Sequence, residues 1–122
     1  RVAQSIAQSS LVKCAMYGKD PNWGRIVCAV GYSGVEIKPE RVSLHFSAGD
    51  ETTFQDAGRK QVQIVEGGQP LSGSSVLSEC AAVLKEKDIV VEIDLGMGSQ
   101  EATVWTCDLS KDYVAINADY TT

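Results

Sequence analysis

The single histidine, His45, stands in the alternating run Val42-Ser43-Leu44-His45-Phe46-Ser47. A general base needs a nucleophile and an orienting partner within hydrogen-bond reach, and its strand neighbours on the same face offer only Ser43 and Ser47. A histidine on the solvent side of a strand is the simpler reading. Glu92 and Asp94 have the chemistry of an acid–base pair, yet they alternate with Val91 and Ile93 and so face the wet side of a strand. Gly96-x-Gly98 is too short for a phosphate cradle, because a dinucleotide fingerprint carries a third glycine and opens a helix, whereas here a strand is expected to follow. Ser72 to Ser75 lacks the strand-to-helix nucleophile elbow and reads instead as N-cap hydroxyls. Trp23 and Arg25, two residues apart at a helix start, could pack over a pocket and pair a carboxylate. The plainer assignment makes Trp23 core and gives Arg25 an internal ion-pair partner such as Asp20.

Metal and redox chemistry fare no better. Cys14, Cys28, Cys80 and Cys107 lie far apart and form no C-x-x-C pair, so zinc and thioredoxin-type sites have little support. Their apolar neighbours, Ala15, Val27, Ala81 and Trp105, predict buried, reduced thiols. A net charge of −5 without a Lys/Arg cluster argues against a nucleic-acid partner. The longest uncharged apolar runs, Ile26 to Val30 and Ile89 to Val91, are far short of a bilayer span, so no membrane segment is expected. With 43% apolar and 22% charged residues the composition is that of an ordinary globular chain. At 122 residues it is long enough for one domain with a real core. The residues from Arg1 onward show no secretory pattern, and a leader on a longer precursor stays open.

The elements that must position these residues follow from periodicity. Val2, Ala3, Ile6 and Ala7 recur at helical spacing and predict a first helix ended by Ser9-Ser10. Leu11 to Tyr17 fits either a strand or a helix, and the strand is favoured because Val12, Cys14 and Met16 alternate with Lys13 and Tyr17. Asp20-Pro21 is a helix start, the carboxylate capping and the proline taking the first helical position, and Gly31 is its stop. Val42, Leu44 and Phe46 mark a half-buried strand; Thr52 to Phe54 and Gln61 to Val65 are weaker strands, and Gly67-Gly68-Gln69-Pro70 is a loop. Val76, Cys80, Val83 and Leu84 form one helical stripe, with Lys85 and Lys87 at the negative end of the dipole. Ile89 to Leu95 and Thr103 to Cys107 are predicted to pair as antiparallel strands, and Tyr113 to Asn117 to form a last short strand or extended arm. The order of elements predicts an α+β fold: a mixed, largely antiparallel sheet with about three helices on it, in one domain spanning 1–122 without a dividing linker.

Two stretches carry a family resemblance. Leu11-Val12-Lys13-Cys14-Ala15, Asp20-Pro21-Asn22-Trp23-Gly24-Arg25, the run Ile26 to Val30 and Gly31-Tyr32-Ser33-Gly34 form the first. Ala102-Thr103-Val104-Trp105-Thr106-Cys107-Asp108-Leu109-Ser110 and Tyr113 through Thr122 form the second. Together they resemble the later part of the downstream (beta) chain of the arginine-biosynthesis glutamate N-acetyltransferases, also called ornithine acetyltransferases. The middle, about Glu36 to Lys87, is similar only in its pattern of elements. The resemblance implies ping-pong acetyl transfer from N-acetylornithine to glutamate, by an enzyme that cuts itself into two chains and uses the N-terminal threonine of the second as nucleophile. It implies no cofactor, an alpha chain and the remainder of the beta chain as partners, and a heterotetramer or higher oligomer. The compartment expected is the cytoplasm, or the mitochondrial matrix or a plastid in a eukaryote. The catalytic threonine, the oxyanion-stabilising residues and the family's substrate-binding lysine and glutamate have no matching position here, so inactivity in isolation is expected. Asn117 and Thr122 fall on the family's two C-terminal substrate-binding positions, and an amide, a hydroxyl and a terminal carboxylate suit the charged ends of an amino acid. The apolar Tyr113, Val114 and Ile116 are expected to dock the arm that carries them. A non-catalytic binding or assembly module with the same fold is the alternative reading.

Overall fold

The computed structural model describes residues 1–50 and 61–120. The expected strand at Thr52 to Phe54 lies outside the described residues. In chain order the elements are α1 (Val2–Ala7), α2 (Ser10–Tyr17), α3 (Trp23–Gly31), a 3-10 turn (Pro39–Arg41), β1 (Ser43–Ala48), β2 (Gln61–Glu66), β3 (Gln69–Pro70), α4 (Ser74–Leu84), β4 (Ile89–Asp94) and α5 (Lys111–Asp119). Two compact units form, Arg1–Val35 with Ala102–Thr122, and Glu36–Glu101. The chain is α+β, as the order of its elements predicts.

In the first unit α1, α2 and α3 pack on one another around the buried Ile6, Ala7, Val12, Ala15, Ile26, Ala29 and Val30. Ser5 Oγ donates to the Ala29 carbonyl at 2.7 Å, tying α1 to α3. Residues 11–17 are helical, not a strand. The Ser9 hydroxyl accepts from the Val12 amide at 3.3 Å and so starts α2 where the first helix ends. Val12 and Ala15, three residues apart, are then buried together while Cys14 is exposed, so the alternation read from Val12, Cys14 and Met16 did not mark a face. The cap of α3 also moves: Asn22 Oδ1 accepts from the Arg25 amide at 3.1 Å, and Asp20 instead accepts from Asn22 Nδ2 at 3.1 Å. Gly31 is the last residue of α3, which closes at Tyr32.

The expected pairing of Thr103 to Cys107 with β4 does not occur. This stretch is irregular and joins the first unit, where Thr106 Oγ1 donates to the Ala7 carbonyl at 2.9 Å and the Leu109 amide to the Lys13 carbonyl at 3.2 Å. A β-rich composition yields here because the orphan carbonyl at the end of α1 offers an acceptor to a threonine side chain. Nor is Tyr113 to Asn117 extended. The Ser110 hydroxyl accepts from the Tyr113 amide at 3.0 Å and nucleates α5.

The second unit is a four-stranded antiparallel sheet in the order β3-β2-β1-β4. Phe46 lies opposite Val62 on one side and Val91 on the other, and Leu44 opposite Val65 and Ile93. An irregularity between Leu44 and His45 shifts the β1–β2 register, so both Ile64 and Val65 are buried. Helix α4 packs on β1 and β2 through the buried Cys80, Val83 and Leu84. Its N-cap is Gly73, without a side-chain bond, so the expected serine cap is not used. Gln69-Pro70, expected as loop, pairs with Val65-Glu66 across the Gly67-Gly68 turn. Among the described residues no helix is long and apolar enough to cross a membrane.

Candidate functional site

The C-terminal helix carries the expected substrate contact. In α5 the Asn117 side-chain amide donates to the Tyr113 carbonyl one turn back, at 2.8 Å. Helical spacing puts Tyr113 and Asn117 on one stripe, and the helix ends before Tyr120, whose backbone is extended. No residue of α5 is buried: Tyr113 is 58% and Ile116 67% exposed. The docking expected of Tyr113, Val114 and Ile116 is therefore absent among the described residues, because a helix one turn off its Leu109–Lys13 tether reaches no apolar partner. Thr122 lies outside the described residues. Asn117 thus stands on an exposed helix face, with an amide that can still accept and donate.

The other candidates settle into structural roles. His45 is half-buried, opposite Gln63 on one strand and Glu92 on the next. Glu92 accepts from Gln61 Nε2 at 3.4 Å, and Asp94 Oδ1 accepts from the Gly96 amide at 2.8 Å, closing the turn after β4. Trp23 is 39% exposed rather than core, since it sits in the first turn of α3 while the helix turns Ile26, Ala29 and Val30 inward. Arg25 donates to the Leu11 carbonyl at 3.0 Å and so bridges α3 to α2. Of the four cysteines, all free, Cys14, Cys28 and Cys107 are exposed and Cys80 alone is buried. Apolar neighbours in sequence misled because three of these thiols fall on the outward faces of their segments. Burial pushes the Cys80 thiol above its ordinary pKa, and the neighbouring Glu79 carboxylate adds to the rise. Among the described residues no group of three or more His, Cys, Asp or Glu side chains could hold a metal. The first unit also has a shallow concavity of about 310 Å³ lined by Arg1, Gln4, Ser5, Gln8, Tyr32 and Ser33. Gln4 and Ser5 lie on α1 and Gln8 caps its end, polar positions legible in the sequence but not tied there to any chemistry.

Comparison with known proteins decides the kinship. The profile of the ArgJ family matches residues 1–122. The chain belongs to the ArgJ family. A glutamate N-acetyltransferase of Methanosarcina mazei is 47% identical over 121 residues, covering 99% of this chain and 28% of that protein. The mitochondrial arginine biosynthesis bifunctional protein ArgJ of Heterostelium pallidum is 44% identical over 126 residues, again covering 99% of this chain and 28% of that protein. The crystal structure of the arginine biosynthesis bifunctional protein argJ from Bacillus halodurans is similar at a TM-score of 0.78 and 38% identity, covering 98% of this chain and 49% of that chain. The chain thus spans little more than a quarter of the length of these ArgJ relatives.

Proposed function

We propose that this chain supplies part of the substrate pocket and of the subunit interface of a glutamate N-acetyltransferase that moves acetyl from N2-acetylornithine to glutamate. The observation that carries the reading is similarity over the whole of this chain to part of ArgJ relatives, one of them named a glutamate N-acetyltransferase. In this reading a threonine nucleophile on another segment takes the acetyl group, oxyanion donors hold the tetrahedral intermediate, and glutamate accepts the acetyl. Asn117 and Thr122 orient the amino-acid end of the substrate: the Asn117 amide pairs with either charged end, while the Thr122 hydroxyl accepts from the ammonium. The alpha chain and the remainder of the beta chain complete the site, in the cytoplasm or, as in relatives named mitochondrial, in that organelle.

The test is an acetyl-transfer assay from N-acetylornithine to glutamate, run on the 122 residues alone and on the same residues joined to the upstream segments of an ArgJ relative. Activity in the joined protein and none in the isolated chain is the expected pair of results. Turnover by the chain alone would overturn the assignment of the nucleophile to another segment. An inert joined protein that still assembles would favour a binding or assembly module.

A further inference from the structure

The segment that leads to Asn117 is stitched to the first unit at two points before α5 begins. Thr106 Oγ1 donates to the Ala7 carbonyl at 2.9 Å, and the Leu109 amide donates to the Lys13 carbonyl at 3.2 Å. The first of these bonds closes the end of α1. There the Gln4 and Ile6 carbonyls accept from the Gln8 and Ser9 amides, while the Ala7 carbonyl takes its bond from a side chain 99 residues further on.

The two acceptors stand on braced helices. Ala7 is the last residue of α1, whose Ser5 hydroxyl bonds the Ala29 carbonyl of α3 at 2.7 Å. Lys13 belongs to α2, whose Leu11 carbonyl accepts from Arg25 Nη1 of α3 at 3.0 Å. Ser110 follows Leu109 directly and caps α5 by accepting from the Tyr113 amide at 3.0 Å, so the helix starts as soon as the second stitch is made. Within α5 the Asn117 side chain is held by its bond to the Tyr113 carbonyl at 2.8 Å. An unbroken run of hydrogen bonds and backbone thus joins the Thr106 hydroxyl to the Asn117 amide. Asn117 lies about 10 Å along the helix from its cap, and a tilt of about 6° at the start of α5 carries its amide about 1 Å sideways. Misplacement on that scale at a reacting geometry costs up to about a hundredfold in rate.

We infer that Thr106 is a positioning residue for the Asn117 substrate contact: its hydroxyl, bonded to the Ala7 carbonyl, fixes the heading of α5. The inference rests on the reading of Asn117 given under Proposed function and goes beyond it by naming the group that orients that side chain. Thr106 acts through α5 and not by touching substrate. Its role depends on the donor and not on bulk, since valine keeps the shape without the donor, whereas serine keeps the donor without the methyl.

The experiment has two arms. In the joined, complete enzyme, Thr106→Val is expected to lower kcat/KM for N-acetylornithine by about three- to tenfold, and Thr106→Ser to stay within about twofold of the native enzyme. Placed on an Asn117→Ala background, Thr106→Val is expected to add less than about twofold, because the contact that it positions is already gone. In the 122-residue chain, Thr106→Val is expected to speed amide exchange at Leu109 and Tyr113 by about three- to tenfold and to leave α3 unchanged, with Thr106→Ser restoring protection. A Thr106→Val enzyme with native kinetics, an equal loss in both backgrounds, or unchanged exchange at Leu109 and Tyr113 would overturn the inference while the reading of Asn117 stands. A silent Asn117→Ala would strike that reading itself, and the inference with it.

Discussion

Cys80 is 1% exposed, and its thiol is held above the ordinary value by burial first and by Glu79 second. A thiol that stays neutral longer in the folded state than in the unfolded one makes the unfolded chain lose its proton first. Stability is therefore unaffected below the unfolded thiol pKa, about 8.5, and falls as pH rises above it. Urea unfolding at pH 7.5 and pH 9.5 is expected to show a larger alkaline loss for the native chain than for Cys80→Ala. The variant itself costs about 1 kcal/mol at neutral pH from the space it leaves. Equal alkaline losses would mean that the thiol does not titrate differently in the two states. Asn117 makes the functional prediction at this scale. Removing a hydrogen bond to a charged substrate group costs about 1.5–3 kcal/mol, so Asn117→Ala in a complete enzyme should lower kcat/KM by roughly ten- to a hundredfold. The melting temperature should hold, because the lost bond to Tyr113 is exposed and alanine is a better helix former. Deletion of Thr122 should act likewise, and unchanged kinetics in both variants would remove the tail from the site.

Elements begin where a side chain meets an orphan amide, and two of the starts can be told apart by mutation. Asn22→Ala removes the oxygen that accepts from the Arg25 amide and should cost about 1 kcal/mol, whereas Asp20→Ala removes only an exposed acceptor outside the helix and should cost clearly less. Chemical denaturation of the two variants decides between them, and the reverse order would restore Asp20 as the cap. In the second unit Gly68 has φ of +76°, and its amide donates to the Val42 carbonyl at 2.9 Å. A side-chain carbon there would run into the Pro39 carbonyl oxygen. Gly68→Ala should destabilise by about 2 kcal/mol or more, from positive-φ strain plus displacement of the 3-10 turn. A melt within about 0.5 kcal/mol of the native chain would show that the turn yields freely.

At the scale of the whole molecule, large apolar side chains remain at the surface of the first unit, among them Leu11, Trp105, Tyr113, Ile116 and Tyr120. Exposed apolar surface of this kind drives association, so sedimentation of the chain alone should show mass rising with concentration; a strict monomer would count against an interface role. The sequence by itself determined the α+β class, the strands at Val42–Ser47, Gln61–Val65 and Ile89–Leu95, the stripe of α4, and the kinship carried by residues 11–34 and the C-terminal segment. Each rests on local periodicity or residue order, which a chain carries without knowing its neighbours. Tertiary structure alone decided the rest. Ser9 and Ser110 turned two strand-like runs into helices, because a hydroxyl at the cap position outweighs a short alternating pattern. The Ala7 and Lys13 carbonyls hold Thr106 and Leu109 in the first unit. Trp23, Cys14, Cys28 and Cys107 came out exposed for the same reason. Burial depends on which face a distant element covers, and no spacing within the segment records that.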